Sequence, residues 1–372
     1  MNIAIDGRVL EKRITGIGRF LSDLLKHVPA IDTMNRYFLF TYGKVDTGND
    51  RYLSVPAAPR FISSKLYSPL WLLSVLPRQL REHKIDLLFS PNFLAPPRRN
   101  NEKWKSIVVV CDAFVKLDVR YFSVPYTMYV NVMLPRSIQQ SAAIVTISEH
   151  SKKDLVRYYG VNPEKIHVMY PSASTRFSPG QLSESRRSQI IKHFTLPEQF
   201  ILSVGVVEVR KNVIGLTQIA DILKQKGVRI PIVLIGGAGF GFKKIMKALR
   251  TRDNILYLSR VGEEYLPDIY RMASAFVFPS YYEGFGIPPL EAMQSGVPVV
   301  TSNTSSLPEV VGEAGKMFHP DDADGFANEL IRLLDDKQYR KRRSEEGISQ
   351  ARRFDAHISA ATLVQLFSIV GS

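Results

Sequence analysis

Glu283 and Glu291 stand with seven residues between them in Glu283-Gly284-Phe285-Gly286-Ile287-Pro288-Pro289-Leu290-Glu291. The glycines predict a loop and the prolines the first turn of a helix, where a missing N–H costs nothing. A loop that offers N–H groups at a helix start is an anion site. The two carboxylates are acceptors for the O–H groups of a sugar or ribose. A capping Glu283 with a solvent-facing Glu291 is the plainer alternative. It is weakened because Glu291 falls within the apolar stretch 287–293.

A second group is Gly205-Val206-Val207-Glu208-Val209-Arg210-Lys211-Asn212. Arg210 and Lys211 at the end of a strand are suited to two phosphates, one as a fork and one as a point charge. A solvated loop pair is an equal alternative. Two glycine clusters, Gly16-Ile17-Gly18 and Gly236-Gly237-Ala238-Gly239, permit close approach of backbone N–H groups to phosphate oxygens. A plain turn explains each about as well.

The elements that must position these residues alternate strand and helix, twice over. In the first half, apolar runs at 2–6, 37–42, 86–90, 106–110 and 143–147 predict strands. The loop Arg13–Arg19 follows the first, then a helix through Phe20, Leu21, Leu24 and Leu25. In the second half, strands are predicted at 200–205, 231–235, 255–258, 275–278 and 297–300. Short buried runs separated by helical patterns imply parallel sheets in an α/β protein. The expectation is two doubly wound, Rossmann-like domains facing across a cleft, with ligands beyond the carboxyl ends of the strands. Residues 1–175 form the first domain, 176–197 a polar linker and 198–355 the second. A last helix at 356–370 is free to pack on the first.

Composition narrows the function. The chain has 372 residues, 45% hydrophobic and 23% charged, as a soluble globular protein does. No run of about 18 apolar residues predicts a bilayer span. The amino terminus lacks a signal-peptide pattern, and the single cysteine, Cys111, fits a reducing compartment. A cytoplasmic protein is expected, peripheral to the membrane at most. Seven histidines without ligand spacing leave no metal site in view. The net charge is +14, with 24 Lys+Arg against 14 Asp+Glu in residues 1–175 and 25 against 21 in the rest. The basic excess lies in the first half. No nucleic-acid-binding signature accompanies it. With Tyr67-Ser68-Pro69-Leu70-Trp71-Leu72-Leu73 it suits an anionic membrane surface, although an ordinary core helix is the plainer reading of that stretch.

In order along the chain, these motifs resemble glycosyltransferase family four, the glycosyl transferases of group 1, with a two-domain B-type glycosyltransferase fold. The resemblance rests on Arg210-Lys211-Asn212, Pro279-Ser280, the pair Glu283 and Glu291, Val297-Pro298-Val299-Val300 and Leu307-Pro308-Glu309-Val310. Thr146-Ile147-Ser148-Glu149 and Pro163-Glu164-Lys165-Ile166 extend it into the first half. It implies a retaining enzyme that moves a hexose from a nucleoside-diphosphate sugar, of UDP or GDP type, to a hydroxyl acceptor. That acceptor is a glycan or lipid-linked saccharide, and no metal or cofactor is implied. A phosphorylase, a sugar-nucleotide epimerase or a non-catalytic nucleotide-sugar-binding protein remains the alternative.

The resemblance implies that Arg210 and Lys211 neutralise the departing diphosphate. Gly16, Gly18 and Gly205 lie against it. Glu283 holds the donor sugar with the loop Gly284, Phe285, Gly286 and Ile287, and Glu291 takes the ribose. Arg260, Val261 and Leu266 flank the base. Two departures stand out. Cys111-Asp112 replaces the His-Asp of many relatives near the donor sugar, and Arg260 replaces a glycine near the base. Cysteine is a weak hydrogen-bond donor, so sugar contacts are expected to differ.

Overall fold

Among the described residues every strand runs parallel to its neighbours in two sheets, and in the first sheet alternate residues enter different cores. The computed structural model describes residues 1–11, 16–57, 69–98, 102–113, 116 and 124–371. These divide into two compact units, Met1–Ser172 with Asp355–Ser372, and Ala173–Phe354.

The first unit contains β1 (Asn2–Asp6), β2 (Arg36–Thr41), β3 (Tyr52–Pro56), β4 (Leu87–Ser90), β5 (Lys105–Val109), β6 (Ala143–Thr146) and β7 (Ile166–Val168). They are ordered β3-β2-β1-β4-β5-β6-β7. Ile3, Ile5, Leu39, Leu87, Phe89, Ile107 and Val109 enter one core. Their neighbours Ala4, Phe38, Phe40, Leu88 and Val108 enter another. A strand buried on both faces has no polar side to show, which is why these segments read as continuous apolar runs. Two strands of this unit lie outside the predicted runs, as does the three-residue strand Lys316–Phe318 of the second. β3 is a half-exposed edge strand ending in Pro56, and β7 has three residues.

The helix Gly16–Ile31 buries Phe20, Leu21, Leu24, Leu25 and Val28. Gly16 and Gly18, expected in a loop, belong to its first turn; Arg13–Thr15 lie outside the described residues. The carboxyl-terminal helix Ala356–Gly371 joins the same core through Ala360, Leu363, Leu366, Phe367 and Val370. Among the described residues one stretch, Lys337–Gly371, is long and apolar enough to cross a membrane by length and composition. It is two helices, Lys337–Ala351 and Ala356–Gly371, and the apolar one has 16 residues. At about 1.5 Å per residue that helix falls short of a hydrocarbon layer. Trp71, Leu72 and Leu76 are likewise core residues, leaving Leu70 and Leu73 exposed, while Tyr67 and Ser68 lie outside the described residues.

The second unit holds β8 (Ile201–Val204), β9 (Ile232–Ile235), β10 (Ile255–Leu258), β11 (Ala275–Phe278), β12 (Val299–Ser302) and β13 (Lys316–Phe318). Their order is β10-β9-β8-β11-β12-β13. The segment 176–197, expected as a linker, instead carries the helix Glu184–Phe194 and belongs to this unit. Ser183 caps it, Ile190 is its one buried residue, and Arg186 pairs with Asp268 at 2.8 Å. One buried residue on a mostly polar helix leaves little periodicity to read.

Candidate functional site

The chain reverses its direction of travel across the second sheet at β8. From there it builds outward to β9 and β10, then returns to lay β11 on the other side. Loops leaving β8 and β11 therefore part, and the crevice between them is where doubly wound sheets take ligands. Arg210 and Lys211 come from the loop after β8, and Glu283 from the loop after β11.

The side chains meet there. Lys211 Nζ donates to Glu283 Oε1 at 2.5 Å, and Ser280 Oγ donates to the same oxygen at 2.7 Å. Arg210 Nη1 lies 3.5 Å from Glu283 Oε2 and donates to the carbonyl of Tyr282 at 2.9 Å. Its Nη2 pairs with Glu208 Oε1 at 2.8 Å. The Lys211 ammonium also sits 5.1 Å from the Phe278 ring centroid. Burial alone would raise the Glu283 carboxyl. Lys211 and Arg210 overcome that and hold it below the ordinary carboxylate range. Burial pushes the Lys211 ammonium down from its usual value, against the pull of Glu283, with Arg210 adding to the fall. The third residue of the motif is structural. Asn212 adopts a left-handed φ of 51° and caps the helix Val213–Gln225 through Gly215 N.

Glu291 lies on the helix Ile287–Gln294, whose first turn holds the two prolines. It is 3% exposed, not solvent-facing. Tyr270 OH donates to its Oε2 at 2.9 Å. Gly286 has φ 121°, a region in which other residues are strained, and it turns the chain into that helix. Phe285 is buried against Phe354 with ring centroids 5.4 Å apart. The N-cap of that helix is Gly286, not Glu283.

Residues 186–350 match the family model described as "Glycosyl transferases group 1". Residues 14–177 match that described as "Glycosyltransferase Family 4". The chain belongs to the group 1 glycosyltransferases. It is 29% identical over 377 residues to the O-antigen chain mannosyltransferase B of Escherichia coli, covering 95% of this chain and 96% of that one. The sucrose-phosphate synthase of Thermosynechococcus elongatus superposes with a TM-score of 0.76 at 18% identity, covering 100% of this chain and 99% of the other. The HepE protein of Anabaena, in complex with UDP and glucose, gives 0.74 at 17% identity, covering 99% of each. These similarities establish the B-type glycosyltransferase fold.

The other expected site residues of this glycosyltransferase fall as follows. Gly205 follows β8 directly, Arg260 and Val261 lie between β10 and the helix Leu266–Met272, and Leu266 opens that helix, with Arg260 exposed. Gly284 and Ile287 flank the turn at Gly286. Gly236 serves the backbone itself, since a Cβ there would collide with the carbonyl oxygen of Gly205, whereas Gly237 faces open space. In the first unit, Gly16 and Gly18 open a helix near the carboxyl end of β1. Asp112 is half-buried beyond β5. Cys111 departs from expectation: it packs among Ile107, Val109 and Val145 in the core. Burial, with Asp112 adding, pushes its thiol up, so it fills space as a neutral group.

Several residues of the site were missed. Glu208 holds Arg210, Tyr270 holds Glu291, and Ser280 was quoted only as part of a motif. Only Glu208 and Ser280 had a local signal, being within three residues of a charged residue of the motif.

Proposed function

We propose that this glycosyltransferase is a retaining mannosyltransferase. It would move mannose from a nucleoside diphosphate to a hydroxyl of a saccharide or lipid-linked saccharide in polysaccharide assembly. The observation that carries the reading is the buried group of Arg210, Lys211 and Glu283 at the switch point of the second sheet. Mannose is placed first because the relative that spans 95% of the chain is an O-antigen chain mannosyltransferase.

In the proposed reaction the bond from C1 to the diphosphate oxygen breaks, leaving an oxocarbenium-like sugar. The acceptor oxygen bonds to C1 on the same face, and its proton passes to the departing phosphate oxygen. Negative charge grows on that oxygen, and Arg210 and Lys211 are fixed cations that meet it. Removing one preorganised donor of this kind costs about 2.7–4 kcal/mol. These cations supply what a divalent ion would otherwise supply, so turnover is expected without added metal.

The test is transfer from GDP-mannose, with UDP-glucose as the competing donor, to a synthetic mannose-terminated acceptor. Product one hexose longer, with the anomeric configuration of the donor by NMR, is expected. An inverted linkage, or no transfer from either donor, overturns the reading. EDTA is expected to leave the rate unchanged; loss restored by Mg²⁺ or Mn²⁺ overturns metal independence. The basic excess in residues 1–175 favours a place beside an anionic membrane carrying the acceptor. Sedimentation with anionic liposomes at low salt and release at high salt checks it, and no pelleting at any salt removes it.

A further inference from the structure

β11 and β12 are neighbours in register, with Phe278 opposite Thr301, so the loops that follow them leave the sheet side by side. The first loop carries Ser280 to Phe285, including Glu283. The second is Asn303-Thr304-Ser305-Ser306. Three consecutive hydroxyls of the second loop hold the first. Thr304 Oγ1 donates to the carbonyl of Ser280 at 3.2 Å. Ser305 Oγ accepts from the N–H of Glu283 at 2.9 Å. Ser306 Oγ lies 2.6 Å from the carbonyl of Phe285 and 2.9 Å from that of Glu283, donating into the pair.

Two features set these residues apart from an ordinary helix entry. Ser306 precedes the helix Leu307–Val311, where a serine ordinarily caps by accepting from a helical N–H. Its side chain makes no capping bond and is turned across to the other loop instead, fully buried. Ser305 holds a left-handed φ of 53°, an unfavourable conformation for serine. It places the residue where its Oγ reaches the Glu283 N–H. Strain of that kind persists only where its surroundings impose it.

We propose that Thr304, Ser305 and Ser306 are positioning residues that set where the Glu283 carboxylate faces the donor sugar. This rests on the reading that Glu283 acts on that sugar. The three hydroxyls grip the loop on both sides of Glu283, at the carbonyl of Ser280 and at that of Phe285. Lys211 and Ser280 then orient the carboxylate itself. Loosening the loop would leave nucleotide binding in place and misplace the groups that meet the changing sugar.

The experiment is a double-mutant cycle on kcat with GDP-mannose and the synthetic acceptor. Ser306→Ala is expected to lower kcat about 3- to 10-fold, the worth of one net hydrogen bond. The nucleoside diphosphate Kd should stay within about 2-fold, as independent sites do. In a Glu283→Ala background the same change should cost less than about 2-fold, because its target is gone. Thr304 is only half-buried, so it supplies a second pair that does not depend on the folding of the Ser306 variant. Thr304→Val should lower kcat and Thr304→Ser restore it. Equal losses for Ser306→Ala with and without Glu283 would overturn the proposal, as would a Thr304→Val enzyme with unchanged kcat. If Glu283→Ala itself leaves kcat unchanged, the underlying reading of Glu283 fails instead.

Discussion

Lys211 and Glu283 lose their water together, and the site behaves according to which partner a ligand replaces. Lys211 has its ammonium pushed down by burial. A depressed lysine loses its charge as pH rises through a value below the ordinary ~10.4. Nucleoside diphosphate affinity is therefore expected to fall on the alkaline side before a free lysine would titrate. Lys211→Arg, whose guanidinium stays charged, should move that limb upward. Calorimetric titration of GDP and UDP from neutral to alkaline pH measures both. The two glutamates should separate as well. A ribose contact is the same in ground and transition states, so Glu291→Ala should raise KM and the nucleoside diphosphate Kd. Glu283→Ala should mainly lower kcat. Each effect is expected at about 10- to 150-fold, the worth of a charge-assisted bond. Unchanged nucleotide affinity in Glu291→Ala would remove the ribose assignment, and a pure KM effect in Glu283→Ala would make that residue a binder only.

The loops after β8 and β9 show how backbone approach and ligand approach use glycine differently. Gly236 lets β9's exit pass the carbonyl of Gly205, and Gly205 N in turn donates to Ile235 O at 2.9 Å. Gly236→Ala must push the two segments apart and is expected to cost about 1–3 kcal/mol, as overpacking does. Gly237→Ala meets nothing and should stay within about 0.5 kcal/mol. If Gly237 instead gives room to a phosphate, its alanine variant keeps its stability and loses nucleotide affinity. Chemical denaturation and nucleotide titration of the two variants distinguish these cases. A Gly236→Ala protein as stable as wild type would contradict the close approach.

At the scale of the whole molecule, the chain returns from the second unit to complete the first. Phe367 is fully buried, with ring centroids 5.9 Å from Phe89 and 6.3 Å from Tyr37. Phe367→Ala is expected to cost about 3–5 kcal/mol through the cavity it leaves. Every residue implicated in holding the donor phosphates and ribose through side chains belongs to the second unit. The nucleoside diphosphate Kd of the folded variant is therefore expected to match that of wild type. Calorimetric melting and nucleotide titration check the two halves of the prediction, and a stability loss under about 1 kcal/mol would contradict the packing.

The strands β1, β10 and β11 lie at the residues their apolar runs predict; for β11 two buried faces demand unbroken hydrophobicity, while β10 is a half-buried edge strand. Arg210 and Lys211 drew attention as adjacent cations in the loop after a strand, and Glu283 and Glu291 as carboxylates on either side of a glycine and proline run. What no local pattern contains is partnership between distant residues. Tyr270 reaches Glu291 across 21 positions, Ser305 reaches Glu283 across 22, and Lys211 reaches Glu283 across 72. The polar helix Glu184–Phe194 looked like a linker because its stability comes from Ile190 and an ion pair to Asp268, 82 positions from Arg186. Cys111 stood among the expected sugar contacts because the resemblance puts it where many relatives carry histidine. The sheet order sets β5 between β4 and β6 and closes the core around its sulfur. Sequence spacing determines which residues are near along an element. Only the parallel pairing of β8 with β11, and of β11 with β12, decided which loops meet and therefore which charges neutralise one another.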